Sequence, residues 1–323
     1  MTTWNELVAG TAGGDADGDE ISDPWTLIQT RYEFQALIHP VRPIADFNRD
    51  GKVDMQDYSI LARCWQQNKL LVDIAPLQQS GDGIVDSKDL AVFAEHWLTS
   101  TKTQLLTGQT GNPNPGSGVI SSPAPKRVLG VAQVYYTLQE MRSGDTDAAP
   151  YVVPLNETVP TLEEMTSAAL NILDEDPNGF LLMVEGGAVD WASHSNISGR
   201  VIEEQIDFNR TVEAVVEWVR FNSNWGETLV IVTGDHETGY LAGPDSGDGL
   251  YGPVWKTLIN NGIGIVPGME WYSRSHTNSL IPFYAKGRGA KLFKLRANGY
   301  DPVRGYYIDN TDIAKVIFEL LEE

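Results

Sequence analysis

Three of the chain's five histidines sit beside carboxylates in spacings that could hold metal ions. Glu185, Asp190 and His194 share the run Glu185-Gly-Gly-Ala-Val-Asp190-Trp-Ala-Ser-His194, Asp235 and His236 close Thr233-Gly-Asp-His236, and His276 lies in Ser275-His-Thr277. Hard carboxylate oxygens combined with imidazole nitrogens are the donor set of a hydrolytic zinc or magnesium centre. Asp190 and His194 are four residues apart, which sets both on one face of a helical turn. Glu185 follows the apolar run 180–184, and Asp235 with His236 follows the apolar run 228–233; both runs read as buried strands. Ligands of open α/β sheets gather at strand carboxyl ends. A lone His beside an Asp is ordinarily a structural hydrogen-bond pair. Two strand ends each offering acid and imidazole, with a third His at 276, point to metal instead.

The elements that must position these residues are legible from residue 126 onward. Thr161 followed by Glu164 is a capping-box pattern and predicts a helix over 161–173. A long amphipathic helix is expected over 199–221, with Val201, Ile202, Val212, Val216 and Val219 on its apolar side, and a closing helix over 312–322. Helices alternating with continuous apolar strands imply an α/β fold, a three-layer sandwich whose mostly parallel sheet is covered on both faces.

The chain of 323 residues carries 44 acidic against 23 basic residues, a formal charge of −21. That balance argues against a nucleic-acid partner and for bound cations or an extracytoplasmic setting. Cys64, the one cysteine, leaves no intrachain disulfide and reads as a small buried hydrophobe. No apolar run is long enough to span a bilayer. The first residues have neither the basic nor the apolar region of a signal peptide, so for an extracellular or periplasmic protein a signal is expected upstream of Met1.

Residues 46–65 and 78–97 form an internal repeat. Asp50-Gly-Lys-Val-Asp-Met-Gln-Asp57 matches Asp82-Gly-Ile-Val-Asp-Ser-Lys-Asp89, and the match continues through Tyr58/Leu90, Leu61/Phe93, Ala62/Ala94 and Trp65/Trp97. Each copy reads as a loop leading into an amphipathic helix. In the first copy Asp46, Asn48, Asp50 and Asp57 fall at positions 1, 3, 5 and 12 of an EF-hand loop, with Gly51 at the sharp turn. The second copy has Gln78 and Ser80 at the first two ligand positions and keeps Asp82, Asp86 and Asp89, with Asp73 as a substitute ligand if the loop is longer. Both loops are candidate calcium sites, and the acidic stretch 15–23 is a further one. Residues 101–125, rich in Gly, Pro, Ser and Thr, read as a flexible linker.

The repeat resembles a type I dockerin over residues 41–100. The resemblance implies calcium binding and a cohesin-like partner, with recognition residues Ser59/Ile60 and Ala91/Val92; these pairs do not follow the common Ser-Thr pattern.

Met183-Val-Glu-Gly-Gly, Asp190-Trp-Ala-Ser-His194, Val232-Thr-Gly-Asp-His-Glu-Thr-Gly239 and Ser275-His-Thr-Asn-Ser-Leu-Ile-Pro-Phe-Tyr284 resemble the C-terminal half of an alkaline phosphatase. The similarity runs through 126–323 and extends to 1–38, in Trp4-Asn-Glu-Leu-Val and Tyr32-Glu-Phe-Gln-Ala-Leu. It makes the dockerin-like unit and its linker an insertion within the phosphatase-like region, whose segments are 1–40 and 126–323. It implies phosphomonoester hydrolysis with two Zn2+ and one Mg2+. Asp190, His194 and His276 would hold one zinc, Asp235 and His236 the second, and Glu185 the magnesium. Trp191 stands where some relatives place a Lys or His that tunes the phosphate site.

The family's serine nucleophile precedes the Glu-Gly-Gly strand, together with a phosphate-binding arginine. Here Asp86-Ser87 lies in a calcium loop and Asp245-Ser246 follows the Thr-Gly-Asp-His motif, so no catalytic nucleophile is assigned and little turnover is expected. The other readings are a calcium-dependent tethering protein with a non-catalytic phosphatase-like domain, and another two-metal hydrolase or mutase. A phosphate monoester substrate and a homodimer also follow from the resemblance.

Overall fold

The structure is a computed structural model that describes residues 6, 24–38, 45, 47, 52–69, 72, 84–95, 97, 127–249 and 252–322. It divides into two compact units, residues 1–138 with 156–185, and residues 139–155 with 186–323.

The first unit contains β1 (Thr26–Ile28), α1 (Arg31–Ile38), α2 (Met55–Arg63), α3 (Ser87–Glu95), β2 (Val128–Gly130) and α4 (Leu162–Leu173). β1 and β2 pair in parallel, Thr26 opposite Val128, so the chain on either side of residues 29–127 forms adjacent strands. Ile28, Phe34, Leu37, Ile38 and Ala168 make its core, with Val128, Met165 and Ile172 packed against them. Gly130 allows this packing, because a Cβ there would lie 2.6 Å from the Phe34 ring. The expected capping box opens α4: Glu164 accepts from the Thr161 amide at 2.9 Å, and Thr161 accepts from the Glu164 amide. The same buried carboxylate accepts from the Arg31 guanidinium at 2.8 Å and the Gln35 amide at 2.8 Å. Every lone pair that burial strips of water is thus re-paired.

α2 and α3 open with the same device. The Asp54 amide donates to Asp57 at 2.9 Å and the Gln56 amide to Asp54; in the second copy the Asp86 amide donates to Asp89 at 2.7 Å and the Lys88 amide to Asp86. Val53 and Val85 are fully buried before the helices, as are Leu61 and Phe93 within them. The Gln66 amide donates to Val85 O at 2.8 Å and the Val85 amide to Gln67 O at 2.9 Å, which ties the end of one copy to the start of the other helix. Cys64 is buried beside this junction. The linker 101–125 and the acidic stretch 15–23 lie outside the described residues, as does Trp4.

The second unit begins with α5 (Ala188–His194) and α6 (Ser198–Asn222), followed by β3 (Leu229–Val232), β4 (Glu237–Thr238) and β5 (Leu241–Ala242). Next come β6 (Gly247–Gly249), β7 (Gly252–Val254), β8 (Glu270–Trp271), β9 (His276–Thr277) and β10 (Tyr284–Gly287). α7 (Ala290–Arg296), β11 (Gly299–Asp301), β12 (Gly305–Tyr307) and α8 (Thr311–Leu321) complete it. On α6, Val219 is fully buried with Thr211, Ala214 and Trp218, while Val201, Ile202, Val212 and Val216 are half-buried. Residues 139–155 are fastened to α6 through Arg142. Its guanidinium forms a fork with Glu203 at 2.8 and 2.9 Å and donates to the carbonyls of Val153 and Pro154. Glu203 also accepts from the Tyr151 amide at 2.6 Å and from Arg200 at 3.2 Å. Beside it, burial pushes Glu204 up to about 7, reinforced by the charges of Asp207, Glu140 and Glu203 and opposed by Arg142.

Helices and strands are both present, but they do not alternate as expected: β3 to β10 follow one another with no described helix between them. Among the described residues the strands form two-stranded sheets, and β3–β10, β4–β9, β5–β8, β6–β7 and β11–β12 are antiparallel; β1–β2 is the parallel pair. Residues 180–184 are no strand: they carry no ladder, and Leu181 and Met183 are 71% and 87% exposed. A continuous apolar run specifies burial on both faces, but a strand exists only with a hydrogen-bonded neighbour. No described segment supplies one here. Among the described residues, no helix is long and apolar enough to cross a membrane.

Candidate metal centre

Asp190 and His194 both project from α5, one turn apart, with His194 Nε2 3.5 Å from Asp190 Oδ2. His276 enters from β9, its Nε2 2.9 Å from His194 Nε2 and 3.4 Å from Asp190 Oδ1. His236 follows β3 and stacks on His276 with ring centroids 3.5 Å apart. Ligand atoms of Asp190, His236 and His276 lie within 4.8 Å of one another. Thus Asp190 and His276 are shared by two triads, one completed by His194 and the other by His236.

The surrounding hydrogen bonds set the tautomers. His194 Nδ1 is 2.6 Å from the Arg274 carbonyl, which can only accept, so Nδ1 carries the proton and Nε2 presents a lone pair to the cluster. The Thr238 hydroxyl donates to Asp190 Oδ1 at 2.5 Å, and its oxygen lies 3.2 Å from His236 Nδ1. With that hydroxyl proton committed to Asp190, His236 Nδ1–H donates to the oxygen and frees Nε2. Outer hydrogen bonds of this kind orient metal-binding imidazoles. Two facing Nε2 atoms without a shared cation are poorly matched. A tetrahedral zinc with bonds of about 2.0–2.1 Å would place its donor atoms about 3.3 Å apart, close to the spacings here. The donor set fits such an ion.

The remaining sequence candidates fall elsewhere. Asp235 lies beside the cluster, Oδ2 3.3 Å from His236 Nε2, with its side chain 87% exposed. Glu185 is exposed and ends the first unit, whereas the cluster belongs to the second. Asp245-Ser246 is the expected surface turn: Asp245 has a φ of 57°, and the Ser246 hydroxyl donates to Gly243 O at 2.6 Å. Thr238 and Glu237 were not singled out by sequence. Both stand in the Thr-Gly-Asp-His-Glu-Thr-Gly motif, yet their roles depend on pairing with a segment about forty residues on.

Of the calcium candidates, Asp57 and Asp89 are fully buried and Asp86 caps α3. Asp46, Asn48, Asp50, Asp82, Gln78, Ser80, Asp73 and Gly51 lie outside the described residues. The expected cohesin-recognition pairs need correction. Ile60 and Val92 are buried, 3% and 9% exposed, leaving only Ser59 and Ala91 of those pairs exposed. Helical periodicity turns the apolar member of each pair into the core.

Residues 133–260 match the family model for alkaline phosphatase, a span that includes Glu185, Asp190, His194, Asp235 and His236. The chain is 36% identical over 232 residues to alkaline phosphatase 3 of Bacillus subtilis, covering 54% of this chain and 46% of that protein. It is 40% identical over 216 residues to alkaline phosphatase 4 of the same organism, covering 50% and 44%. With the Escherichia coli alkaline phosphatase it shares 33% over 138 residues, 41% of this chain and 28% of that protein. The chain therefore spans less than half the length of these relatives. Among solved structures it is similar to the cold-active alkaline phosphatase of a psychrophilic Shewanella, at 22% identity and a TM-score of 0.40 over 60% of this chain and 55% of that one. It is also similar to the alkaline phosphatase of the Antarctic bacterium TAB5, at 22% identity and a TM-score of 0.36 over 68% and 52%. Residues 133–260 are thus the stretch over which this chain matches the alkaline phosphatase family model.

Proposed function

We propose that this chain supplies the metal-binding part of an alkaline-phosphatase-type phosphomonoester hydrolase. The observation that carries this reading is the convergence of Asp190, His194, His236 and His276, with Nδ1 of His194 and His236 already bonded away from the cluster. Asp190, His194 and His276 would hold one Zn2+, His236 with Asp235 the second, and Glu185 the Mg2+. When bound, such ions polarise the phosphoryl group and stabilise the attacking and leaving oxygens of an in-line displacement. The chain's own contribution is to orient the imidazoles through Arg274 O and the Thr238 hydroxyl. A three-layer α/β arrangement, location outside the cytoplasm and a homodimer belong to the same reading, and the charge of −21 agrees with a cation-rich setting.

No serine is assigned as nucleophile, so little turnover of an aryl phosphate is expected from this chain even with zinc and magnesium. Metal analysis of the dialysed chain together with that assay tests both halves. Failure to retain zinc would sink the metal reading. Brisk hydrolysis abolished by Asp190→Asn would reveal a substitute nucleophile.

The repeat favours an added role. Its two helices share one capping device and are tied through Gln66, Gln67 and Val85. We read it as a calcium-binding pair inserted between β1 and β2, with ligands Asp46, Asn48, Asp50 and Asp57 in one loop and Asp82, Asp86 and Asp89 in the other, and with a cohesin-like partner docking on its exposed face. Capture by an immobilised cohesin that is lost on chelating calcium would support it. Calcium-independent capture, or none, would refute the tethering role.

A further inference from the structure

β4 and β9 are only two residues each, too short for their backbone ladder to specify register alone. Yet the register decides which side chains face the metal cluster. Glu237 stands opposite Thr277, and Thr238 opposite His276. Because successive side chains alternate faces, Thr238 and His276 point together toward Asp190, and Glu237 and Thr277 point together away from it. A slip of one residue would turn His276 out of the cluster.

Glu237 pins this register from the back. The Thr277 hydroxyl donates to Glu237 Oε2 at 2.5 Å, joining the strands through side chains. The Tyr240 amide donates to Glu237 Oε1 at 2.6 Å. That second bond holds a turn of unusual conformation, with Gly239 at φ 88° and Tyr240 at φ 47°. The turn is held from other sides as well. The Gly239 amide donates to Ser275 O and the Ser273 amide to Gly239 O, and a Cβ at Gly239 would lie 2.5 Å from the Trp271 ring. Left-handed backbone at a non-glycine residue persists only where its surroundings fix it. Each carboxylate oxygen of Glu237 accepts one of these donors on the face turned away from the cluster, so its chemistry is that of a brace and not of a further ligand.

We propose that Glu237 is a positioning residue of the metal centre, setting metal affinity by locking the β4–β9 register that aims His276 and Thr238 at Asp190. The inference rests on the metal-centre reading above. Its test is zinc affinity of the full chain by chelator competition, with the absorption spectrum of the cobalt-substituted protein as a second readout. Glu237→Ala and Thr277→Val should each weaken zinc by about 10- to 100-fold, the usual range for outer hydrogen bonds, and alter the cobalt bands. The double variant should lose no more than Glu237→Ala alone, since that change already removes the bond that Thr277→Val removes. Glu237→Gln should bind nearly as tightly as the parent, because its amide can accept from Tyr240 N–H and donate to the Thr277 oxygen. Should Glu237→Ala fail to fold, Thr277→Val and Glu237→Gln carry the comparison. Parental affinity and cobalt spectrum in Glu237→Ala or in Thr277→Val overturn the inference, as does Glu237→Gln binding as weakly as the alanine variant. A parent chain that takes up neither ion overturns the metal-centre reading, and the inference with it.

Discussion

Two groups of ionisable side chains in the second unit are built to opposite ends. In the Arg142–Glu203–Arg200 group the side chains are 3–6% exposed, and the Glu203 oxygens are shared among two guanidiniums and the Tyr151 amide. In the Asp190–His194–His236–His276 group the side chains are 28–48% exposed, and the Nε2 atoms of His194 and His276 face one another at 2.9 Å. The first is closed: one carboxylate is shared by two guanidiniums, and Arg142 fastens residues 139–155 to α6. The second is open, and its outer hydrogen bonds direct lone pairs toward a common point. Burial with a carboxylate shared between guanidiniums marks a structural clamp, whereas partial exposure with convergent acceptors marks a binding site.

The contrast breaks most sharply by truncation. Glu203→Ala leaves two buried guanidiniums without their carboxylate and should cost about 3–5 kcal/mol, read as a large fall in the denaturant midpoint that zinc does not restore. Asp190→Asn should do the reverse. In chelator it should shift stability by no more than about 0.5 kcal/mol, as partly exposed substitutions do. Its stabilisation by added zinc should nevertheless vanish, which thermal melting with and without the ion will show.

The edge of the closed group offers a pH test. Glu204 is an acid whose pKa is pushed up to about 7 from 4.5, so between those values the folded chain binds more protons than the unfolded one. The contribution of Glu204 to stability is therefore greatest below about 4.5 and falls as pH rises toward about 7, by at most about 3 kcal/mol. Glu204→Gln should flatten that slope and be the more stable protein at pH 8; an unchanged slope in urea titrations would refute the assignment. The caps give local effects that neither zinc nor pH should alter. Asp54→Ala and Thr161→Ala should each cost about 1 kcal/mol, measurable as shifts in the urea midpoint.

What the sequence made legible was local. The Thr161–Glu164 box, the apolar side of α6 and the Asp190/His194 spacing depend on residues within a turn or two of each other. What it hid was pairing. The run 180–184 looked like a strand because its composition suits burial, but composition names no neighbour. Glu237 and Thr238 acquire their roles only when β9 arrives opposite them, and nothing in their own spacing announces that partner. The same applies to Arg142, whose clamp with Glu203 joins residues 61 positions apart.

Zinc K-edge X-ray absorption on the zinc-loaded chain tests the open group most directly. A first shell containing imidazole scattering from two or more histidines, reduced in His194→Ala and in His276→Ala, is the predicted result. A shell of oxygen atoms alone, unchanged in both variants, would contradict it.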